Sequence, residues 1–378
     1  MSVAEALARA EIGRPGSRAR VPTPALILDE AALDANIARM AERTRGKVAL
    51  RPHAKTHKCS WIAHKQTAAG AVGVCCAKVG EAEALSAAGV RNILLTSPVA
   101  DPAMPGRLCD LAAVDPGFAC VVDHPAPVSA LAREAAERGG SIRVVIDVDV
   151  GLMRTGVPGP AEALTLADHI ARRPSLTLAG VQGYGGHWQH IAGFTARRDA
   201  VRAGMDVLAG VVEALRGAGH RIETITGGGT GTVQSDLDIG LLTELQPGSY
   251  VFMDAQYRDA LGEDADGEFR TSLFVSAQVI SVNAGPVVTV DAGLKAFATD
   301  GPPPRPAGER FADSRYGFFG DEHGALTRPA DTPLGLGDRV ELVTPHCDPT
   351  VDRYDAYHVV NEDTLTAIVP IEAARASR

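Results

Sequence analysis

The sequence predicts an α/β fold: a (β/α)8 TIM-type barrel joined to a second, mostly antiparallel β domain. Three observations predict it. Short apolar runs alternate eight times with longer Ala-rich amphipathic stretches over the first two thirds of the chain. The runs are continuously apolar rather than alternating, as strands covered on both faces of a parallel sheet are. After about residue 266 the texture becomes β-rich and is broken by turns. Eight strand–helix units in a row point to a closed barrel. An open doubly wound sheet is the alternative that the same alternation allows.

In order, PALILD (24–29) reads as the first strand, ahead of the helical EAALDANIARMAERT. VALRPHA (48–54) is the second and is followed by a helical stretch through Ala69. VGVCCA (72–77) precedes VGEAEALSAAG, NILLTS (92–97) precedes a helix near 102–113, and FACVVD (118–123) precedes PVSALAREAAERGG. IRVVIDVDV (142–150) precedes AEALTLADHIARR, and LTLAGVQGY (176–184) precedes a long helix around 195–217. IETITGGG (222–229) is the eighth strand. Beyond it, FRTSLFVSAQVISVN, PVVTVDAG, DRVELVTPH and DAYHVVNEDTLTAIVPI read as antiparallel strands. GPPPRPAG (301–308) reads as a loop, because successive prolines cannot donate to a ladder. The expected division is 24–265 for the barrel and 1–23 plus 266–378 for the β domain.

Composition narrows the function classes. Apolar residues make up 45% and charged residues 22% of 378, enough for a sizeable core. A formal net charge of -9 argues against nucleic-acid binding, which needs a basic surface. No window of the length needed to span a membrane is apolar throughout, and the first residues lack the apolar core of a secretory signal. Cys59, Cys75, Cys76, Cys109, Cys120 and Cys347 show no zinc or disulfide spacing and read as free thiols. A reducing, cytoplasmic setting is expected.

The chemistry is sought at the C-terminal ends of the barrel strands. The second strand ends in Arg51-Pro52-His53-Ala54-Lys55. A lysine there faces the barrel mouth, where a lowered pKa lets it form a Schiff base. A solvated basic loop is the alternative for this lysine taken alone. The eighth strand ends in Thr226-Gly227-Gly228-Gly229-Thr230. Such barrels bind phosphate there through backbone N–H groups, although a glycine turn can also be only a tight turn. The two features together suit the two ends of pyridoxal 5'-phosphate. In the β domain, Pro345-His346-Cys347-Asp348 offers a metal pair. In an extended segment residues i and i+2 share a face, so His346 and Asp348 can reach one ion while Cys347 points away. One imidazole and one carboxylate suit a divalent ion, Mn2+ first, with Mg2+ or another as alternatives. By spacing alone this signal is weak.

The segments TPALILDEAALDANIARM, RPHAKTHK, GVCCAKVGEAEAL, VIDVDVGLMRTGV, GVQGYGGHWQH, ITGGGTGT, ELQPGSYVFMD, DAGLKAF and HCDPTVDRYD carry a resemblance that runs through nearly the whole chain. Together they resemble the fold-type III pyridoxal phosphate enzymes, the alanine-racemase-like barrels, and among these the D-threonine aldolases. The resemblance implies cleavage of D-3-hydroxy amino acids to glycine and an aldehyde, with Lys55 as the Schiff-base lysine and His190 as the catalytic base. It implies Arg154 and Tyr184 at the cofactor ring. Thr226, Gly228, Gly229 and Thr230 would lie at its phosphate, with Tyr250 nearby. It also implies a homodimer. Read by themselves, Arg154 can instead pair with Asp147 or Asp149, Tyr184 can be a wall residue with a satisfied hydroxyl, and His190 can be a surface histidine.

Two departures stand out. The family pattern has a histidine after the tyrosine of the VQ-x-Y segment, where this chain has Gly185, with His187 and Trp188 in the loop; an altered substrate preference is expected. The related D-serine dehydratases are similar but carry cysteine at the second metal position, where this chain has Asp348. The rival readings are therefore a D-serine or D-3-hydroxyaspartate dehydratase on the same fold, or a non-catalytic pyridoxal-phosphate-binding protein. A racemase would leave the metal pair without a task.

Overall fold

The computed structural model describes residues 3–262, 269–327 and 334–376. It contains two compact units: one takes the chain up to Arg39, Thr56–Lys58 and Ser249–Arg375, and the other Met40–Lys55 and Cys59–Gly248. The strands of the first two thirds are β1 (Ala25–Asp29), β2 (Ala49–Leu50), β3 (Val74–Cys76), β4 (Ile93–Leu95), β5 (Ala119–Val122), β6 (Ile142–Asp147), β7 (Leu176–Gly183), β8 (Thr224–Gly227) and β9 (Glu244–Leu245). Those of the last third are β10 (Leu273–Ser281), β11 (Val287–Val290), β12 (Arg305–Pro306), β13 (Tyr316–Phe318), β14 (Gly324–Thr327), β15 (Arg339–Val343), β16 (Ala356–Asn361) and β17 (Thr364–Pro370).

The barrel unit is a parallel sheet in the order β2-β9-β8-β7-β6-β5-β4-β3. The ring closes between β2 and β3. Val72 N–H donates to Leu50 O and Cys75 N–H to Pro52 O, both at 2.8 Å, and His53 bridges Cys75 in parallel. The predicted (β/α)8 barrel is therefore present. Helix α1 (Val3–Ala10) precedes β1, and α2 (Glu30–Thr44) leads to β2. The barrel's own helices are α3 (Ser60–Ala68), α4 (Val79–Ala87), α5 (Met104–Val114), α6 (Pro125–Glu137), α7 (Pro160–Ala171), α8 (Phe194–Gly217) and α9 (Val233–Ile239). Their starts are written locally. Glu81 accepts the N–H groups of Ala77 and Lys78 at the head of α4, and α5, α6 and α7 carry proline in the first turn, where no N–H partner is lost.

Inside the barrel Cys75, Leu94, Ala119, Val121, Val145 and Ala179 form one buried cluster. Burial pushes the Cys75 thiol well up, so it packs as a small apolar group. In the same unit Arg51 grips Glu244 with two hydrogen bonds, Nε to Oε2 at 2.6 Å and Nη2 to Oε1 at 3.1 Å. The β-rich unit contains a nine-stranded mixed sheet with the path β13-β14-β11-β10-β1-β16-β17, from which β15 and β12 branch at β10. Val21, Ala25, Ile27, Val360 and Leu365 form a core against it. Here too lie α10 (Ala255–Leu261) and α11 (Cys347–Val351).

Three expectations are corrected. PALILD is not a barrel strand: β1 pairs antiparallel with β10 and parallel with β16. It is central and buried on both faces, which gives the same continuous apolar run as a barrel strand. The barrel strand that replaces it, β9, has two residues and begins with the charged Glu244, so no apolar run marks it. The units accordingly divide near residues 39 and 248 instead of 24 and 265. Within the expected loop 301–308, Arg305 and Pro306 form an edge strand on β15, a place where proline is tolerated.

All six cysteines are buried, and no disulfide joins any of them. Among the described residues no helix is long and apolar enough to cross a membrane. Replacing Glu244 with alanine leaves the Arg51 guanidinium buried and uncompensated. We expect a loss of about 3 kcal/mol in denaturant unfolding, with the slope of the transition unchanged.

Candidate active site

At the C-terminal ends of the barrel strands, His53, Lys55, Ala77, Thr96, Ser97, Arg154, Gln182, Tyr184 and Gln246 surround a cavity of about 140 Å3. Lys55 sits in a short turn immediately after the His53 bridge that closes the ring. Thr96 Oγ1 donates to Cys76 O at 3.1 Å, so the His53 Nε2 found 3.0 Å from Thr96 Oγ1 carries the proton. Nδ1 is then the acceptor, and it receives the Lys55 backbone N–H at 3.4 Å. His53 thus ties the lysine turn to β4, a role that nothing in the sequence pattern singled out.

Arg154 and Tyr184 meet in this cavity, the guanidinium carbon 5.7 Å from the ring centroid. Arg154 forms no ion pair with Asp147 or Asp149 among the described residues; both carboxylates hold the loop that carries it. Asp149 Oδ1 accepts the N–H groups of Gly151 and Met153 at 2.9 Å. Asp147 Oδ2 accepts the Thr155 hydroxyl at 2.7 Å, and its Oδ1 accepts Gln182 Nε2 at 2.8 Å. Burial pushes the Asp147 carboxyl up to about 6, against the pull of these two hydrogen bonds. Thr226 reaches the cavity wall through Gln246, whose Nε2 donates to Thr226 Oγ1 at 2.9 Å.

The glycine turn after β8 is held from within. Gly229 N–H donates to Thr232 Oγ1 at 3.0 Å and Gly231 N–H to Gln189 Oε1 at 2.9 Å. Thr232 Oγ1 in turn donates to Asp236 Oδ2 at 2.7 Å. A Cβ on Gly229 would lie 2.6 Å from Gln189 Oε1, and one on Gly228, at φ +69°, 2.4 Å from Asp236 Oδ2. The glycines therefore let a buried glutamine and a buried aspartate approach the backbone. The Gly229 N–H, expected at the phosphate, is engaged with Thr232, and the Thr230 side chain beside it is buried. Asp236 is wholly buried, and desolvation pushes its carboxyl up to about 7.

In the preceding loop the sequence singled out His190, which is exposed; its neighbour Gln189 is 1% exposed and organises the turn. Trp188 is also buried, and a Cβ on Gly185 would fall 2.1 Å from its ring. The indole thus fills the space of any side chain at position 185, which explains the glycine there. His187 stands exposed beside it, ring centroids 5.1 Å apart.

The β-rich unit holds Tyr250 fully buried, edge-on to Phe269 with centroids 5.8 Å apart. It also holds the expected metal pair, in a different local geometry from that predicted. Only His346 is extended, as the N-cap of α11; Cys347 through Val351 is helical, so the alternation argument does not apply to Asp348. Buried Asp254 fixes this helix start by accepting the N–H groups of Tyr257 and Cys347 at 2.9 and 2.8 Å. Cys347 is buried, and desolvation holds its thiol well above the usual range, so it is no thiolate ligand. His346 Nδ1 lies 2.9 Å from Asp300 Oδ2, which leaves Nε2 for a cation, the arrangement by which carboxylates orient metal-binding imidazoles. Among the described residues no three His, Cys, Asp or Glu side chains converge on one point. A metal held by His346 and Asp348 would keep most of its coordination positions for water and substrate.

Comparison with known proteins agrees with this architecture. The family described as "Alanine racemase, N-terminal domain" matches residues 28–256, and "Putative serine dehydratase domain" matches residues 272–360. A D-threonine aldolase from Arthrobacter sp. is 40% identical over 362 residues, 95% of this chain and 94% of the relative. The chain belongs to the D-threonine aldolase branch of the fold-type III pyridoxal phosphate enzymes. A 3-hydroxy-D-aspartate aldolase from Paracoccus denitrificans (strain Pd 1222) is 35% identical, with 95% of this chain and 94% of the relative covered. The crystal structure of a D-threonine aldolase from Filomicrobium marinum superposes with a TM-score of 0.91 at 37% identity, covering 95% of this chain and 98% of that one.

The lysine turn and the aromatic and cationic walls of the cavity suit pyridoxal phosphate, whereas Gly228, Gly229 and Thr230 are not among the residues that line it. The His346–Asp300 pair suits a divalent ion. Replacing Asp300 with asparagine removes the charge behind His346, so a divalent ion held by that imidazole should bind roughly ten- to hundredfold more weakly in calorimetric titration. For Asp236, the folded protein retains a proton that the unfolded chain has lost between pH 3.8 and about 7. This favours the fold at the acid end of that window and is lost as pH rises through it. An Asp236→Asn variant lacks the effect, so its melting temperature relative to wild type should rise steadily across the same window.

Proposed function

We propose that this chain is a pyridoxal-phosphate- and divalent-metal-dependent aldolase. It would cleave D-threonine and related D-3-hydroxy amino acids between Cα and Cβ, giving glycine and an aldehyde. The observation that carries the reading is the convergence of Lys55, Arg154 and Tyr184 on one cavity at the barrel mouth. Pyridoxal phosphate, when bound, supplies the electron sink for the bond that breaks, and a divalent ion, Mn2+ first, supplies Lewis acidity toward the β-hydroxyl.

The chain's own residues provide the rest. Lys55 Nζ is the amine that carries the cofactor, and the His53 contact to its backbone keeps it directed from the ring of strands. Arg154 and Tyr184 frame the cofactor ring. Thr226, Gly228, Gly229 and Thr230 serve its phosphate end, with the Gly229 contribution reduced to shape because its N–H is engaged. Tyr250 is assigned to cofactor binding on the family resemblance alone. His190 takes the β-hydroxyl proton, directly or through a water. His346 and Asp348 hold the metal, with Asp300 orienting the imidazole. In this reading the barrel is the cofactor-binding domain and the β-rich part the metal-binding domain. The resemblance also supports a homodimer, and six cysteines without disulfide or zinc spacing support a reducing, cytoplasmic setting.

A second reading has an observation in its favour. The match of residues 272–360 to a putative serine dehydratase domain supports loss of the β-hydroxyl as water from D-serine or D-3-hydroxyaspartate. Asp348 in place of a cysteine ligand favours the aldolase. The two are separated by product: incubation with D-threonine and D-3-hydroxyaspartate should yield glycine, whereas a keto acid without glycine selects the dehydratase. Chelator-stripped protein should lose turnover and regain it with Mn2+; full activity without any divalent ion removes the metal from the scheme. A Lys55→Ala variant should show neither turnover nor the absorbance band of bound cofactor.

A further inference from the structure

The cavity wall carries two glutamines that the scheme above leaves without a task. Gln182 ends β7 and Gln246 follows β9, and each is 3% exposed. They stand in one chain of hydrogen bonds whose direction is fixed by chemistry. Gln182 Nε2 donates to Asp147 Oδ1 at 2.8 Å and to the Thr96 backbone carbonyl at 3.1 Å. A carbonyl oxygen only accepts, so the Gln182 amide nitrogen must face it whatever the charge on Asp147. Gln182 Oε1 then faces Gln246, which meets it with Nε2 at 3.1 Å. The other proton of that Nε2 goes to Thr226 Oγ1 at 2.9 Å. Both amide protons of Gln246 are therefore engaged. What it has left for the cavity is Oε1, an acceptor that receives no hydrogen bond among the described residues.

Pyridoxal phosphate offers mostly acceptors: its phosphate oxygens, its carbonyl and its phenol oxygen, which is ionised near neutral pH. The one hydrogen-bond donor of its ring is the ring nitrogen in protonated form. We propose that Gln246 Oε1 accepts the hydrogen bond of the protonated ring nitrogen of pyridoxal phosphate, and that Gln182, held by Thr96 and Asp147, is the residue that positions it. The inference rests on the reading of this cavity as the cofactor site. Its consequence is chemical: a protonated ring withdraws electrons more strongly than a neutral one, and the polar chain keeps the acceptor turned to that task.

The test uses holoenzyme loaded with pyridoxal phosphate isotopically labelled at the ring nitrogen, whose NMR resonance separates the protonated from the unprotonated form. Wild type and Gln246→Glu, which keeps an acceptor, should show the protonated nitrogen near neutral pH. Gln246→Met should show the unprotonated nitrogen and a cofactor Kd raised roughly ten- to hundredfold, as for a lost hydrogen bond to a charged group. Gln182→Met, which frees the Gln246 amide to turn, should move both readouts the same way by a smaller factor. An unprotonated nitrogen in wild type overturns the proposal, as does an unchanged resonance and Kd in Gln246→Met. If Gln246→Met fails to fold by circular dichroism, the resonances of wild type, Gln246→Glu and Gln182→Met decide by the same criteria. A wild-type protein that binds no pyridoxal phosphate overturns the underlying reading of the cavity instead.

Discussion

The candidate site depends on where the ring of eight strands is closed. A parallel barrel needs its first strand to meet its last neighbour in register, and here β2 is only two residues long. The closure is completed beyond the strand, by the Pro52 carbonyl and the His53 bridge to Cys75. Lys55 follows within two residues, and its backbone N–H is received by the same histidine ring. The constraint that shuts the barrel is thus the one that aims the lysine. The imidazole serves both purposes because Thr96 fixes which of its nitrogens bears the proton.

A second theme is that the polar groups around the cavity are organised by uncharged amides and buried acids more than by ion pairs. Gln182 and Gln246 line the cavity wall, with Gln182 bonded to Asp147, and Gln189 and Asp236 hold the glycine turn; desolvation raises the pKa of both carboxyls. Such networks hold shape because each member has its partners fixed, and a half-satisfied one would be costly in a low-dielectric interior. The arrangement leaves Lys55 and Arg154 as the cationic side chains of the cavity wall, next to a tyrosine ring.

Much of this was legible from the residues alone. Continuous apolar runs gave seven of the barrel strands and the helices between them, and the lysine, arginine and tyrosine expected at the mouth do line one cavity. What escaped had no local signal. A central strand of a mixed sheet is apolar on both faces just as a barrel strand is, so β1 was misplaced. Strand β9 is short and starts with a glutamate that only its arginine partner explains. His190 drew attention through the family resemblance, whereas the buried Gln189 beside it has no chemistry that a sequence displays. Asp300 lies 46 positions from His346, and its relation to that imidazole exists only in the folded chain.

The interleaving of the two units in the chain also bears on how this protein can be cut. Residues 56–58 group with the β-rich unit although barrel residues flank them on both sides, and there the Tyr357 hydroxyl donates to His57 O at 2.7 Å. Strand β1 likewise finds its neighbours more than two hundred positions downstream, in β10 and β16. A gene fragment stopping at residue 248 would encode every barrel strand yet strand the opening segment of the polypeptide with no sheet to join. Modular exchange of the C-terminal third between relatives is for this reason a graft across an established hydrogen-bonded seam, and donor and recipient must agree on β1 for it to succeed.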